Sequence, residues 1–153
     1  MTTTLPIVRR SARAVLIDDE DRLVVIRRAR PGQEPYWTTA GGGVESEDTS
    51  RAAAVERELG EELGAVVRVG QQVFLVSSVN GAGLTVQHFF LCRLLGIEPA
   101  LRVGPEHTDL SRGAYELDRI PLKALAGFDL RPTELRDFVI ANHQALLADV
   151  PAA

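Results

Sequence analysis

Three glutamates stand at a spacing that could hold a metal ion. Glu58, Glu61 and Glu62 follow one another within five residues. On a helix with about 100° per residue, Glu62 lies about 40° to one side of Glu58 and Glu61 about 60° to the other. Carboxylates this close repel one another, and a hard divalent cation offsets that repulsion. The spacing predicts either a carboxylate metal site or a solvated acidic face paired with Arg57.

The segment that must position these glutamates has the pattern of an amphipathic helix. Its apolar residues gather on a face beside the acidic one, and the helix is predicted from about Ser50 to Leu63, where Gly64 ends it. Three glycines, Gly41-Gly42-Gly43, precede it and could expose backbone groups to a ligand. An ordinary turn is the simpler interpretation of the glycines taken alone.

Taken together, the glycines and the acidic helix resemble the Nudix box. The segment from Gly41 to Ala65 reads GGGVESEDTSRAAAVERELGEELGA, and its second half, RELGEELGA, fits the family pattern at every defined position. The first half departs from it. Asp48 stands six residues after Gly42, where the family has glutamate, and one residue too many separates it from Arg57. We expect Asp48, rather than Thr49, to brace the loop in place of that glutamate, with Thr49 or Ser50 capping the helix.

The resemblance implies an α/β (α+β) fold, in which a mixed β-sheet is sandwiched between α-helices. It also implies hydrolysis of a nucleoside diphosphate linked to another moiety, with Mg²⁺, or alternatively Mn²⁺, as cofactor. Glu58, Glu61, Glu62 and the carbonyl of Gly41 are then the expected metal ligands. Glu58 or Glu61 is expected to orient or deprotonate the attacking water. The competing hypothesis is a Nudix-fold module that binds nucleotides or regulates without catalysis.

Other residues are candidates for supporting roles. Glu106, in the polar stretch 98–113, is a candidate base or additional metal ligand, with Asp109 and Glu116 behind it. Arg28 and Arg30 precede the glycines and are candidates for binding a substrate phosphate. A solvated surface is the alternative for all of these.

Aromatic and sulfur-containing side chains complete the candidates. Trp37, and beside it Tyr36, could stack on a base, although a tryptophan in this position more often packs in a core. His88 and Cys92 share strand parity with Phe90, so both are expected to pack rather than react.

Composition excludes several classes of function. The net charge of −4 provides no general attraction for nucleic acid or an anionic membrane. A small nucleotide is therefore the expected partner, and a homodimer is an open alternative to a monomer. The single cysteine cannot form an internal disulfide. The N-terminal residues lack an apolar signal region and no apolar run reaches membrane-spanning length, so the cytoplasm is the expected location.

The whole chain, 1–153, is predicted to form a single domain, with residues 1–8 a loose leader. Strands are predicted at 12–17, 23–26, 36–39, 66–69, 72–79, 84–95 and 115–120. The first two form a hairpin, 98–113 is a loop and 121–125 is a helical turn. A final amphipathic helix is predicted over 133–147, with Leu135, Phe138, Val139, Asn142 and Leu146 near one face.

Overall fold

The computed structural model describes residues 4–101 and 114–153, and these form an eight-stranded mixed sheet with an α-helix on each face. The strands and helices, in chain order, are β1 (Ile7–Ile17), β2 (Arg22–Ala29), β3 (Tyr36–Thr38), β4 (Gly41–Gly43), α1 (Arg51–Leu63), β5 (Ala65–Asn80), β6 (Gly83–Ile97), β7 (Ala114–Pro121), β8 (Leu130–Arg131) and α2 (Thr133–Asp149). Short 3₁₀ helices occupy Pro99–Leu101 and Leu122–Gly127. The α/β (α+β) sandwich expected from the sequence is confirmed.

Strand alternation divides the core into two layers. Ala14 and Leu16 of β1 pack in the layer beneath α1, whereas Val15 and Ile17, one residue out of phase, pack in the layer beneath α2. Successive side chains of a strand point to opposite faces of a sheet, so a strand covered on both faces is apolar throughout. The helix on each face of the sheet therefore explains the uninterrupted apolar run of β1, from Ala14 to Ile17.

The sheet opens into a wedge between β1 and β2. These strands pair antiparallel only through Leu16 with Val24 and Ile17 with Leu23. Beyond that point β1 pairs with β4, β2 pairs with β3, and the other edge of β1 pairs in parallel with β6. The chain crosses from one arm of the wedge to the other through the buried residues Thr39 and Ala40, which brings the three glycines to the inside of the wedge.

Both ends of α1 are determined by local sequence. The Ser50 hydroxyl accepts a hydrogen bond from the Ala53 amide, and Gly64 closes the helix in the left-handed conformation at φ 67°. Ser50, and not Thr49, is therefore the cap. Leu59, fully buried, anchors the apolar face of the helix on the sheet.

Four sequence-based expectations need correction. The glycines form a strand, β4, because the open edge of β1 supplies hydrogen-bond partners. The two strands expected at 66–69 and 72–79 are one strand, β5, with bulges near Gly70. Residues 7 and 8 of the expected leader belong to β1. Asn142 interrupts α2 with a non-helical φ of −122° and is exposed.

Candidate functional site

Two of the three predicted glutamates lie against the glycines of β4. Glu62 is 9% exposed, and its Oε1 accepts a hydrogen bond of 3.1 Å from the Gly41 amide. The Glu58 carboxylate lies over Gly42 so closely that a Cβ atom on Gly42 would stand 2.5 Å from its Oε2. The absence of a side chain at position 42 therefore makes room for the carboxylate.

The third glutamate, Glu61, shares a hydrogen-bond donor with Glu58, the side chain of Arg57. Arg57 Nη1 donates to Glu58 Oε1 at 2.9 Å and to Glu61 Oε2 at 3.2 Å. The Glu61 side chain is 43% exposed, against 17% for Glu58. Burial raises the pKa of Glu58, and the hydrogen bond from Arg57 works against that shift.

Asp48 occupies the position expected for a brace of the loop. Its carboxylate accepts hydrogen bonds from Arg57 Nε at 2.9 Å and Arg57 Nη2 at 3.0 Å, and a third from the Glu45 amide at 2.8 Å. The bonds from Arg57 are the main reason that the pKa of Asp48 is lowered. Arg57 also donates to the Gly43 carbonyl, so it ties the loop to the helix. The predicted hydrogen-bonding position of Asp48 is confirmed.

The donor atoms at this site suit a hard divalent cation. In the part of the chain that the structure describes, no three His, Cys, Asp or Glu side chains already stand close enough together to hold a metal ion. The reason lies in their present partners, since Glu58 and Glu61 share Arg57 while Glu62 is bonded to Gly41. Two carboxylates that already converge on one cationic nitrogen have the chemistry that Mg²⁺ requires.

An arginine-lined cleft of about 410 Å³ opens in the wedge of the sheet. Among the described residues it is lined by three cations and no acid; its walls are Arg13, Arg28, Tyr36, Thr38, Thr39, Gln87, Arg131 and Pro132. Arg28, a predicted phosphate-binding residue, donates from Nε to Thr38 Oγ1 at 3.0 Å. The sequence interpretation missed Arg13 and Arg131, which reach this cleft only because β1 and β8 converge on the wedge.

Strand parity separates the two aromatic candidates. Tyr36 lines the cleft, and the guanidinium carbon of Arg131 lies 4.1 Å from the centre of its ring. Trp37 instead packs edge-on against Phe128 in the α2 layer and donates from Nε1 to Asp118 at 2.9 Å. Trp37 therefore supports the core, and Tyr36 is the aromatic side chain that faces the cleft.

The remaining candidates lie away from the glutamates or outside the described residues. Arg30 is exposed beyond the end of β2 and is not part of the cleft wall. Glu116 belongs to β7, where it pairs with Arg27 at 3.8 Å. Glu106 and Asp109 lie outside the described residues.

His88 and Cys92 are buried between sheet and helix, as their strand parity indicated. Hydrogen-bond partners stand 3.0 Å from each His88 ring nitrogen, Arg10 at Nε2 and Gln72 at Nδ1, and burial lowers its pKa. Burial raises the pKa of the Cys92 thiol to about 12, which keeps it protonated. Neither side chain lines the arginine cleft.

Comparisons with known proteins agree with this geometry. The chain matches the NUDIX domain profile over residues 8–135. No curated protein sequence matches it. The solution structure of the E. coli ORF135 protein is similar with a TM-score of 0.65 and 20% identity, over 97% of this chain and 96% of that one. The MutT protein from Methanosarcina mazei Go1 gives 0.63 and 21%, over 94% and 98%. A MutT NUDIX hydrolase from Burkholderia pseudomallei gives 0.54 and 25%, over 75% and 84%. Within the described residues, no helix has the length and apolar character needed to cross a membrane.

Proposed function

We propose, for a chain that belongs to the NUDIX domain family, that its activity is the hydrolysis of a pyrophosphate bond in a nucleoside diphosphate linked to another moiety, with Mg²⁺ or Mn²⁺ as cofactor. One observation carries the proposal. The carboxylates of Glu58 and Glu62 lie against Gly42 and Gly41, beside a cleft that three arginines line. Carboxylates bind a cation and guanidinium groups bind an anion. A site that combines the two fits a polyphosphate substrate with its metal ion.

The glutamates would hold the cation. Glu58, Glu61, Glu62 and the carbonyl of Gly41 are the proposed ligands, and Arg57 would keep its bonds to Asp48 while it releases the two carboxylates. A divalent cation held there neutralises phosphate charge and acidifies water. The Arg57–Asp48 pair, with the Ser50 cap, supports this arrangement because it fixes the loop against the start of α1.

The arginines and Tyr36 would position the substrate. Arg28 and Arg131 would donate hydrogen bonds to phosphate oxygens, and Tyr36, with Arg131 over its ring, offers a flat surface for a base. Water attacks one phosphorus, the bond to the bridging oxygen breaks, and the second phosphate leaves. Glu58 or Glu61 is the proposed acceptor of the proton of the attacking water.

A product analysis tests this proposal. The purified protein is incubated with nucleotide sugars, dinucleoside polyphosphates and nucleoside triphosphates in Mg²⁺, and products are separated by ion-exchange chromatography. The proposal predicts two phosphorylated products from each nucleotide that is cleaved, in a reaction that a chelator stops. Phosphomonoesters serve as the control and should stay intact. Cleavage of phosphomonoesters alone, or of no phosphoanhydride in a broad panel, would contradict the proposal.

We further propose that the enzyme acts in the cytoplasm.

A further inference from the structure

Arg13 is a partly buried cation whose hydrogen bonds are incomplete. Its Nη1 donates to the Thr39 carbonyl at 3.1 Å. Its Nε is fully buried and has no hydrogen-bond partner among the described residues. Buried polar groups of folded proteins are almost always hydrogen-bonded, and each exception calls for an explanation.

The position of Arg13 points to what could complete those bonds. Gly41 has φ 147°, and a Cβ atom there would stand 2.7 Å from the Cγ of Arg13, so the aliphatic stem of the arginine passes directly over this glycine. The amide of the same glycine is bonded to Glu62. The side chain of Arg13 therefore lies beside the glycine that Glu62 contacts, and it forms part of the cleft wall together with Arg28.

The hydrogen bonding of Arg57 contrasts with that of Arg13. Arg57 is tied by each of its three nitrogens to a carboxylate or a carbonyl, and bonding to Asp48 raises its pKa. Arg13 shows the opposite shift, because burial lowers its pKa and the charge of Glu62 only partly compensates. All three nitrogens of Arg57 thus have acceptors, whereas Nε of Arg13 has none among the described residues.

We propose that Arg13 is a phosphate-binding residue, which anchors the substrate phosphate at the junction between the arginine cleft and the glutamates. Two phosphate oxygens would accept from two nitrogens of the guanidinium, the paired geometry that guanidinium groups offer to phosphates. This assignment rests on the proposed function for the identity of the substrate. The assignment extends the proposed function by naming the side chain that binds the phosphate nearest to Glu62.

Pyrophosphate binding without metal tests the assignment separately from catalysis. The affinity of inorganic pyrophosphate is measured by calorimetry in EDTA for the wild type, Arg13→Met and Arg13→Lys. Arg68→Met is the matched control, since it removes one exposed arginine from β5, away from the cleft. We expect a loss of at least tenfold for Arg13→Met, a smaller loss for Arg13→Lys, which keeps the charge but not the paired donors, and wild-type affinity for Arg68→Met.

Steady-state kinetics on a cleaved nucleotide provide the second readout. Arg13→Lys should raise KM by at least fivefold with an unchanged melting temperature, an effect that a purely structural arginine would not produce. Wild-type pyrophosphate affinity in Arg13→Lys, or an equal loss in Arg68→Met, would overturn the assignment even if Arg13→Met does not fold. Arg13-dependent pyrophosphate binding without hydrolysis of any nucleotide would leave the assignment standing and sink the proposed function. Hydrolysis that Arg13 variants do not alter would do the reverse.

Discussion

Gly42 offers the most selective perturbation of the site. A Cβ atom at position 42 would lie 2.5 Å from Oε2, 2.6 Å from Cδ and 2.8 Å from Oε1 of Glu58. Ordinary contact begins at about 3.4 Å. Alanine at this position must therefore push the Glu58 carboxylate away by roughly 1 Å, a displacement that can cost about 100-fold in rate when a catalytic group is misplaced.

The fold should tolerate this substitution. The atoms in the way belong to the far end of a flexible side chain, and the backbone of Gly42 does not have a positive φ. Replacing glycine by alanine at a compatible backbone position stabilises a protein by about 0.4–1 kcal/mol, which offsets some of the strain. We expect Gly42→Ala to keep its melting temperature within about 4 °C of the wild type and to lose about 100-fold in kcat.

The neighbouring glycines are the controls. At Gly43 the nearest atom to an added Cβ is Arg9 Nη2 at 3.6 Å, an ordinary contact, so Gly43→Ala should retain wild-type kcat. At Gly41 the added atom would meet the backbone of Ala12 and Arg13, so Gly41→Ala should lose stability. Wild-type kcat in a folded Gly42→Ala variant, or an equal loss in Gly43→Ala, would refute the assigned role of Glu58. Kinetics and thermal unfolding of all three variants measure the difference.

Three further predictions concern the buried carboxylate of Asp18, the two aromatic side chains near the cleft, and the buried thiol of Cys92. Asp18→Asn should destabilise the protein by about 1.5–3 kcal/mol at neutral pH. Burial alone would raise the Asp18 pKa, but hydrogen bonds from two arginines and two backbone amides leave it lowered. The difference in free energy of unfolding between wild type and variant should therefore shrink as pH falls below 3.8. A difference that stays constant with pH in urea unfolding would contradict this. Tyr36→Ala should raise KM without changing stability, whereas Trp37→Phe should lower stability by about 1 kcal/mol with KM unchanged, and the opposite pattern would restore Trp37 to the cleft. Cys92 should react with iodoacetamide only upon unfolding, because its thiol pKa is about 12, and rapid labelling of the native protein would disprove the burial.

The parts of the fold that depend on neighbouring residues could be predicted from the sequence. The bounds of α1 follow from a serine cap and a left-handed glycine, and both signals lie within one turn of the helix ends. The acidic helix face could be derived in the same way, since helical spacing alone places Glu58, Glu61 and Glu62 side by side. The position of Asp48 could be predicted because it stands six residues after Gly42, although one residue too many separates it from Arg57.

The parts that depend on distant pairing could not be predicted. Gly41 to Gly43 become a strand only because the wedge leaves one edge of β1 open, and no local pattern encodes that opening. Arg13 and Arg131 line one cleft although they are far apart in sequence, which requires the assembled sheet. The face on which Trp37 lies was also undetermined, because a three-residue strand gives no periodicity with which to choose between Trp37 and Tyr36.

The metal dependence of hydrolysis in a matched pair of variants tests whether the glutamates of α1 hold the catalytic cation. Glu62→Gln keeps an oxygen that can accept from the Gly41 amide but removes the charge, whereas Glu56→Gln makes the same change on the exposed face of the same helix. Initial rates on a cleaved nucleotide are measured for both variants and the wild type across a Mg²⁺ titration. We expect no activity after chelation, at least a 100-fold lower kcat for Glu62→Gln at equal thermal stability, and a wild-type titration curve for Glu56→Gln. Undiminished hydrolysis in Glu62→Gln, or hydrolysis that persists after complete chelation, would contradict this assignment.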